Sequence, residues 1–249
     1  MSVLKPSRLA LTVAGALAFG ALAACQTPES TVSSAQIETV AMTANQRQDA
    51  AAERRLREWA KQGLPVAERE LGMLYRSRPA QRAETIRLFE SAARAGDAEA
   101  AFQLGELYRI EVVGATADPA TAAPWYKLAA LQHHARAGLM LGLLYKNGSG
   151  VRQDDEQAAK WLDLASDQGN AHAMFLLSYA YNEGRGVVRD PAKGRKLLEE
   201  AAEHEYPPAI QELAMVVQQG DSHSAKDELR AGHLMKEATE HRHNNWNRF

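Results

Sequence analysis

Residues 137–166 read AGLMLGLLYKNGSGVRQDDEQAAKWLDLAS, and two patterns in that stretch decide the fold. The first is Ala-x3-Leu-Gly-x2-Tyr, carried by Ala137, Leu141, Gly142 and Tyr145. The second is Trp161-x3-Ala165-Ser166, which follows a loop bounded by Gly148 and Asp154. Positions three, four or eight apart lie on one side of an α-helix, so each pattern is one face of a short helix. Outward from this copy the first pattern recurs as Ala67/Leu71/Gly72/Tyr75, Ala100/Leu104/Gly105/Tyr108 and Ala173/Leu177/Ser178/Tyr181, with a degenerate copy at Ala209/Leu213/Ala214/Val217. Its alanines are spaced by 33, 37, 36 and 36 residues, a period that belongs to stacked solenoids.

The second pattern keeps register with the first. Ala92-Ala93, Ala129-Ala130, Ala165-Ser166 and Ala201-Ala202 each stand eight and seven residues before the next repeat alanine. Four residues before each pair comes a large apolar side chain: Leu88, Trp125, Trp161 or Leu197. Each repeat is therefore two helices. Alanine and glycine on the first helix let neighbours approach, and the tyrosines and tryptophans are expected to fill the space between layers. Gly148 and Gly184 close the first helix in copies three and four, because glycine enters left-handed backbone without a Cβ penalty. Asp118, Asp154 and Asp190 open the second helix as N-caps, two of them followed by proline at the first helical position. Gly96 and Gly169 end the second helix in copies one and three.

This combination resembles the Sel1-like repeat family, relatives of the tetratricopeptide repeats. The resemblance rests on Ala-x3-Leu-Gly-x2-Tyr, the Gly-x-Gly-Val-x2-Asp loop at 148–154 and 184–190, and the Trp-x3-Ala-Ala helix. It implies an all-α, right-handed superhelical solenoid of antiparallel helix pairs at 47–243, with core copies at about 67–206. Three departures stand out. Only 13 residues separate Tyr75 from Leu88, so copy one lacks the glycine loop. Pro124 in copy two predicts a helix that starts near Thr121 or is kinked. The fifth copy has lost glycine and tyrosine, and 47–63 and 225–242 read as outer capping helices.

The amino-terminal segment concerns location. Lys5 and Arg8 form a positive start, Leu9 to Ala24 is a run of sixteen apolar and small residues, and no acidic residue precedes Glu29. The run is short for a bilayer span of about 20 residues, which favours a signal peptide at 1–24. Leu22-Ala23-Ala24-Cys25 resembles the lipobox of bacterial lipoproteins. The resemblance implies a diacylglyceryl group on Cys25, cleavage before it, and acylation of the new amino terminus. Gln26, where inner-membrane lipoproteins carry aspartate, implies the periplasmic face of the outer membrane. A plain secretory signal or an uncleaved anchor is the other reading. Residues 25–46, rich in Ser, Thr and Gln, read as a flexible tether, or else as a strand or helix that packs onto the domain.

Composition excludes several classes. The chain has 29 basic and 31 acidic residues among 249, and loss of 1–24 would remove Lys5 and Arg8 alone, leaving a balance of −4. That gives no basis for nucleic-acid binding. The one cysteine excludes a disulfide framework and a cysteine-ligated zinc module. Gly148-Ser149-Gly150 lacks the spacing of a nucleophile elbow, and Gly184-x-Gly186 lacks the third glycine of a dinucleotide loop. His133 and His134, adjacent on a helix, would point about 100° apart, unsuited to one metal. His233, His241 and His243 read as a solvated tail, the other reading being a metal site formed if the tail folded back. No catalytic residue, metal, cofactor or small-molecule substrate is expected. Cysteine-rich relatives bind β-lactams through a scaffold with a disulfide in each repeat, which this chain lacks.

What remains is a surface. Positions one before, two after and five after the repeat leucine form a stripe, and it carries the candidate partner-binding residues. Its cations are Arg76, Arg109 and Lys146, beside an apolar patch of Met140, Leu143, Leu176 and Tyr179. The cations also suit helix C-termini, and the patch also suits contact with the next helix. The function expected is a non-catalytic scaffold for protein partners of the cell envelope, with exopolysaccharide secretion of the alginate kind implied by resemblance. A periplasmic regulator of a sensor kinase and a host-interaction factor at the cell surface are the alternatives.

Overall fold

The computed structural model describes residues 32–110, 116–220 and 226–244, the last four as backbone. The signal segment 1–24 and Cys25 lie outside the described residues. Twelve α-helices and no strand occur among those described. In chain order they begin with α1 (Ser34–Arg47), α2 (Ala50–Lys61), α3 (Pro65–Tyr75), α4 (Arg82–Arg94), α5 (Ala98–Arg109) and α6 (Pro119–Leu131). They continue with α7 (Ala135–Asn147), α8 (Asp155–Asp167), α9 (Ala171–Glu183), α10 (Pro191–Glu203), α11 (Pro207–Gln219) and α12 (Glu228–Asn244). Each packs mainly on the next, most closely within the hairpins α3–α4, α5–α6, α7–α8, α9–α10 and α11–α12. The expected all-α solenoid of helix pairs is what forms.

The hairpins are tight because the repeat glycine has no side chain. A Cβ on Gly105 would lie 2.7 Å from the Tyr126 ring, and one on Gly142 would lie 2.8 Å from Leu162 Cγ. The residue that seats on the glycine is thus the one after the expected tryptophan. Tyr126 and Leu162 are buried, whereas Trp125 and Trp161 are only half-buried, which corrects the expectation that the tryptophans fill the layers. Copy four, with Ser178 instead of glycine, directs the hydroxyl to the Phe175 carbonyl at 2.7 Å.

The loop glycines act between repeats. Gly148 and Gly184 cap α7 and α9 in left-handed backbone. The second glycine of each loop, Gly150 or Gly186, lies on the start of the preceding repeat's second helix: a Cβ would fall 2.3 Å from the Ala120 nitrogen or 1.9 Å from the Asp155 carbonyl oxygen. Asp118, Asp154 and Asp190 accept from the backbone N–H of Thr121, Gln157 and Lys193 as N-caps. Helix α6 starts at Pro119 rather than Thr121 and runs through Pro124. In copy one a short 3-10 turn, Pro79–Gln81, replaces the glycine loop.

Two local expectations change. The stretch 34–46 is not a tether but most of α1. Ser33 caps it, accepting from the Gln36 N–H while the Gln36 side chain accepts from the Ser33 N–H. Ile37, Ala41 and Ala44 are buried from α1, which packs on α2 and α3. Arg69 of α3 then bonds Glu38 of α1 at 2.8 Å and Asp97, the N-cap of α5, at 3.0 Å. Second, His133 and His134 are not on a helix. His133 turns the chain at φ +62, and His134 caps α7 by accepting from the Ala137 N–H.

Candidate functional site

The first helices of the repeats, α3, α5, α7, α9 and α11, carry the candidate stripe. Their repeat leucines, Leu71, Leu104, Leu141, Leu177 and Leu213, are buried. The positions flanking those leucines are partly open, and Met73, Tyr179 and Met215 are exposed large apolar side chains two residues after the leucine in copies one, four and five.

The structure divides the predicted residues among three places. Arg109, Met140 and Leu143 meet in a groove of about 340 Å³ between α5, α7 and the start of α9. Lys146, Leu176 and Tyr179 line a smaller cleft of about 50 Å³ one repeat further on. Arg76 lines neither cavity and donates to the Gln103 side chain at 2.5 Å. The three cations therefore do not share one cavity. Met140 and Leu143 also pack against buried core, so the patch is partly the helix contact that the sequence allowed.

Arg109 is committed within the protein. It donates through Nη2 to Glu106 Oε2 at 2.8 Å and through Nε to Glu106 Oε1 at 3.1 Å and the Tyr126 hydroxyl at 3.0 Å. Tyr126 donates in turn to Glu106 Oε1 at 2.5 Å. Burial pushes the Glu106 carboxyl up, but the bonds from Arg109 and Tyr126 outweigh it and keep the group below the ordinary carboxylate range. Burial, then the adjoining carboxylate, pushes the Tyr126 phenol far above its ordinary value. This triad is closed and tethers α6 to α5.

The sequence stripe stopped short of other residues that line the groove. Phe102 of α5, Arg136 of α7 and His172 of α9 line it, joined by His204 after α10. Arg136 and His172 stand five residues before their repeat leucines, a column that the same register argument could have drawn. Phe102 is buried, with the His134 ring stacked 4.5 Å away and the Arg136 guanidinium 4.8 Å from its centre. His134 also bonds Glu99 at 3.0 Å. That hydrogen bond comes first among the causes that bring the Glu99 carboxyl down to about 2, against the upward push of burial. His172 stacks on Tyr206 at 5.2 Å, and burial, followed by the charge of Lys146, pushes its imidazole down toward the neutral form. Among the described residues no group of three or more His, Cys, Asp or Glu could hold a metal ion.

Stacked hairpins with a partly apolar groove on their first helices define a helical-repeat protein built to present a surface. A profile of the Sel1 repeat matches residues 65–97, 98–134, 135–170 and 171–206, and the chain belongs to the Sel1 repeat family. Proteins of this family are generally non-catalytic scaffolds for protein interaction. A Sel1 repeat protein from Oxalobacter formigenes is 26% identical, with a TM-score of 0.70 over 86% of this chain and 91% of that one. A protective antigen of uropathogenic Escherichia coli strains, displaying an SLR fold, is 27% identical with a TM-score of 0.72. The match covers 83% of this chain and 46% of the antigen. An immunity protein from Pseudomonas aeruginosa, 18% identical with a TM-score of 0.52 over 85% of this chain and 82% of its own, shares the fold. Comparison with curated proteins yields no match.

Proposed function

We propose that this chain is a lipid-anchored scaffold at the outer membrane, facing the periplasm, that gathers protein partners of the cell envelope. The observation that carries the binding part is the groove beside Met140 and Leu143, a partly apolar recess on the first helices of a solenoid. The anchor rests on Lys5, Arg8, the run from Leu9 to Ala24 and the box that ends in Cys25. Resemblance in anchor and repeat class to the lipoprotein of alginate secretion supports assembly of an exopolysaccharide export apparatus as the specific task.

In-cell crosslinking, followed by identification of the captured proteins, tests this reading. Wild type should capture envelope-assembly or export proteins, and Cys25→Ala should lose them together with outer-membrane fractionation and globomycin-sensitive processing. Processing that ignores globomycin would remove the anchor, and capture of a sensor kinase would replace the scaffold with a regulator. The likeness to the uropathogenic antigen favours one other reading, display at the cell surface. Digestion of intact cells with protease decides between them: protection is expected, and cleavage supports the surface.

A further inference from the structure

We propose that the groove between α5, α7 and the start of α9 takes a peptide segment of the protein partner in which a large apolar side chain stands beside a carboxylate. This rests on the reading of the chain as a scaffold for protein partners, and adds the chemistry that the partner must carry.

Charge is the first ground. The chain is mildly acidic, at −2, yet this groove is lined by two arginines and a single carboxylate, Glu106. That carboxylate is already bonded by Nε and Nη2 of Arg109 and by Tyr126, so the Glu106–Arg109 pair offers an incoming segment little net charge. The arginine left without a hydrogen-bonding partner among the described residues is Arg136.

Arg136 is also placed against local preference. It lies in the first turn of α7, where the helix end is partially positive and no acidic residue is present to offset it. It is exposed and makes no hydrogen bond or ion pair among the described residues, although Glu99 senses its charge. Glu99 is itself engaged by His134 and Gln103. The Phe102 ring holds the guanidinium by a cation–π contact, which orients the planar fork and leaves its N–H edges unused. A carboxylate is the acceptor that such a fork pairs with in two parallel bonds.

The apolar half of the occupant follows from the floor. Met140 and Leu143 line the recess between the two arginines, and methionine adapts its shape to varied side chains. A volume of about 340 Å³ stands at the small end of ligand-binding cavities, about 300–1,000 Å³, and suits a side chain or two of a longer segment.

Selection of random phage-displayed dodecapeptides on the full chain in detergent tests the inference. Enriched peptides should pair Asp or Glu with a neighbouring Leu, Ile, Phe or Met. A synthetic peptide of that consensus should bind Arg136→Glu and Met140→Gln about tenfold more weakly, with Lys160→Glu, exposed on α8 and outside the groove lining, unchanged. Replacing its acidic residue with lysine should restore binding to Arg136→Glu. Absence of enrichment, a consensus without a carboxylate, or unchanged binding to Arg136→Glu overturns the inference. Envelope partners crosslinked equally by wild type and Arg136→Glu overturn it too, while leaving the scaffold standing; failure to crosslink any envelope partner strikes the scaffold itself.

Discussion

Gly186 and Gly232 show how differently one residue type acts in this chain. At Gly186 the backbone is left-handed, φ +70, and a Cβ would sit 1.9 Å from the Asp155 carbonyl oxygen. Gly186→Ala must lift the loop off α8, at a cost of about 1–3 kcal/mol, and the thermal midpoint should fall by roughly 2–4 °C per kcal/mol. Gly232 is inside α12 with nothing within 4 Å of its added Cβ. Gly232→Ala should raise the midpoint, since alanine favours helix by about 1 kcal/mol over glycine. A shared sign for the two would contradict this account. A third residue, Glu99, links stability to pH. Its carboxyl is lowered from 4.5 to about 2, first by the bond from His134, so the stabilisation it brings is complete above about 4.5 and disappears as pH falls toward 2. In urea unfolding, wild type should exceed Glu99→Gln near neutrality and converge with it across that window. A gap that persists at pH 2 would show that Glu99 acts by packing.

Elements differ in how openly the sequence declares them. Helices α8 and α9 are announced by paired signals, an Asp or Asn cap at one end and glycine at the other. Helix α1 is not, because its buried face consists of one isoleucine and two alanines, too faint a stripe to separate from a polar linker. Only the Ser33/Gln36 capping box marked its start. The turns after α6 and α10 were hidden for the opposite reason. His133 and Glu205 adopt the left-handed backbone that Gly96 and Gly169 adopt in their neighbours, φ +62 and +59, so composition gave no sign of the turn. Docking of α1 predicts that amides 37–47 resist hydrogen exchange, and that Ile37→Asp removes this protection while α5 to α10 keep theirs. Fast exchange of α1 in wild type would restore the tether.

Across the whole molecule, register carried much further than chemistry. The leucine-based stripe found Arg109, Met140 and Leu143 in one groove, because helical period alone decides which side chains share a face. Arg76 and Lys146, on the same stripe, do not line that groove, because the pairing between repeats is set by contacts that no single helix encodes. The stripe also missed Arg136, whose value comes from Phe102 on a neighbouring helix. Stability in such a stack is a sum of repeats and of joints between neighbours. The joints at Gly150 and Gly186 are alike: each glycine lies on the first residues of the previous repeat's second helix, Pro119-Ala120 or Asp155-Glu156. A second copy of 135–170 inserted after Asn170 would meet an N-cap at its start and the same joint at its loop. The lengthened chain should fold with proportionally more helix by circular dichroism and melt no earlier than the parent; aggregation or early melting would show that the joints are not equivalent. The uropathogenic antigen, of which this chain spans 46%, is a relative of greater length. A glycine seated on its neighbour's helix thus makes copies interchangeable, so a gene can lengthen the binding surface by duplication without inventing a new core.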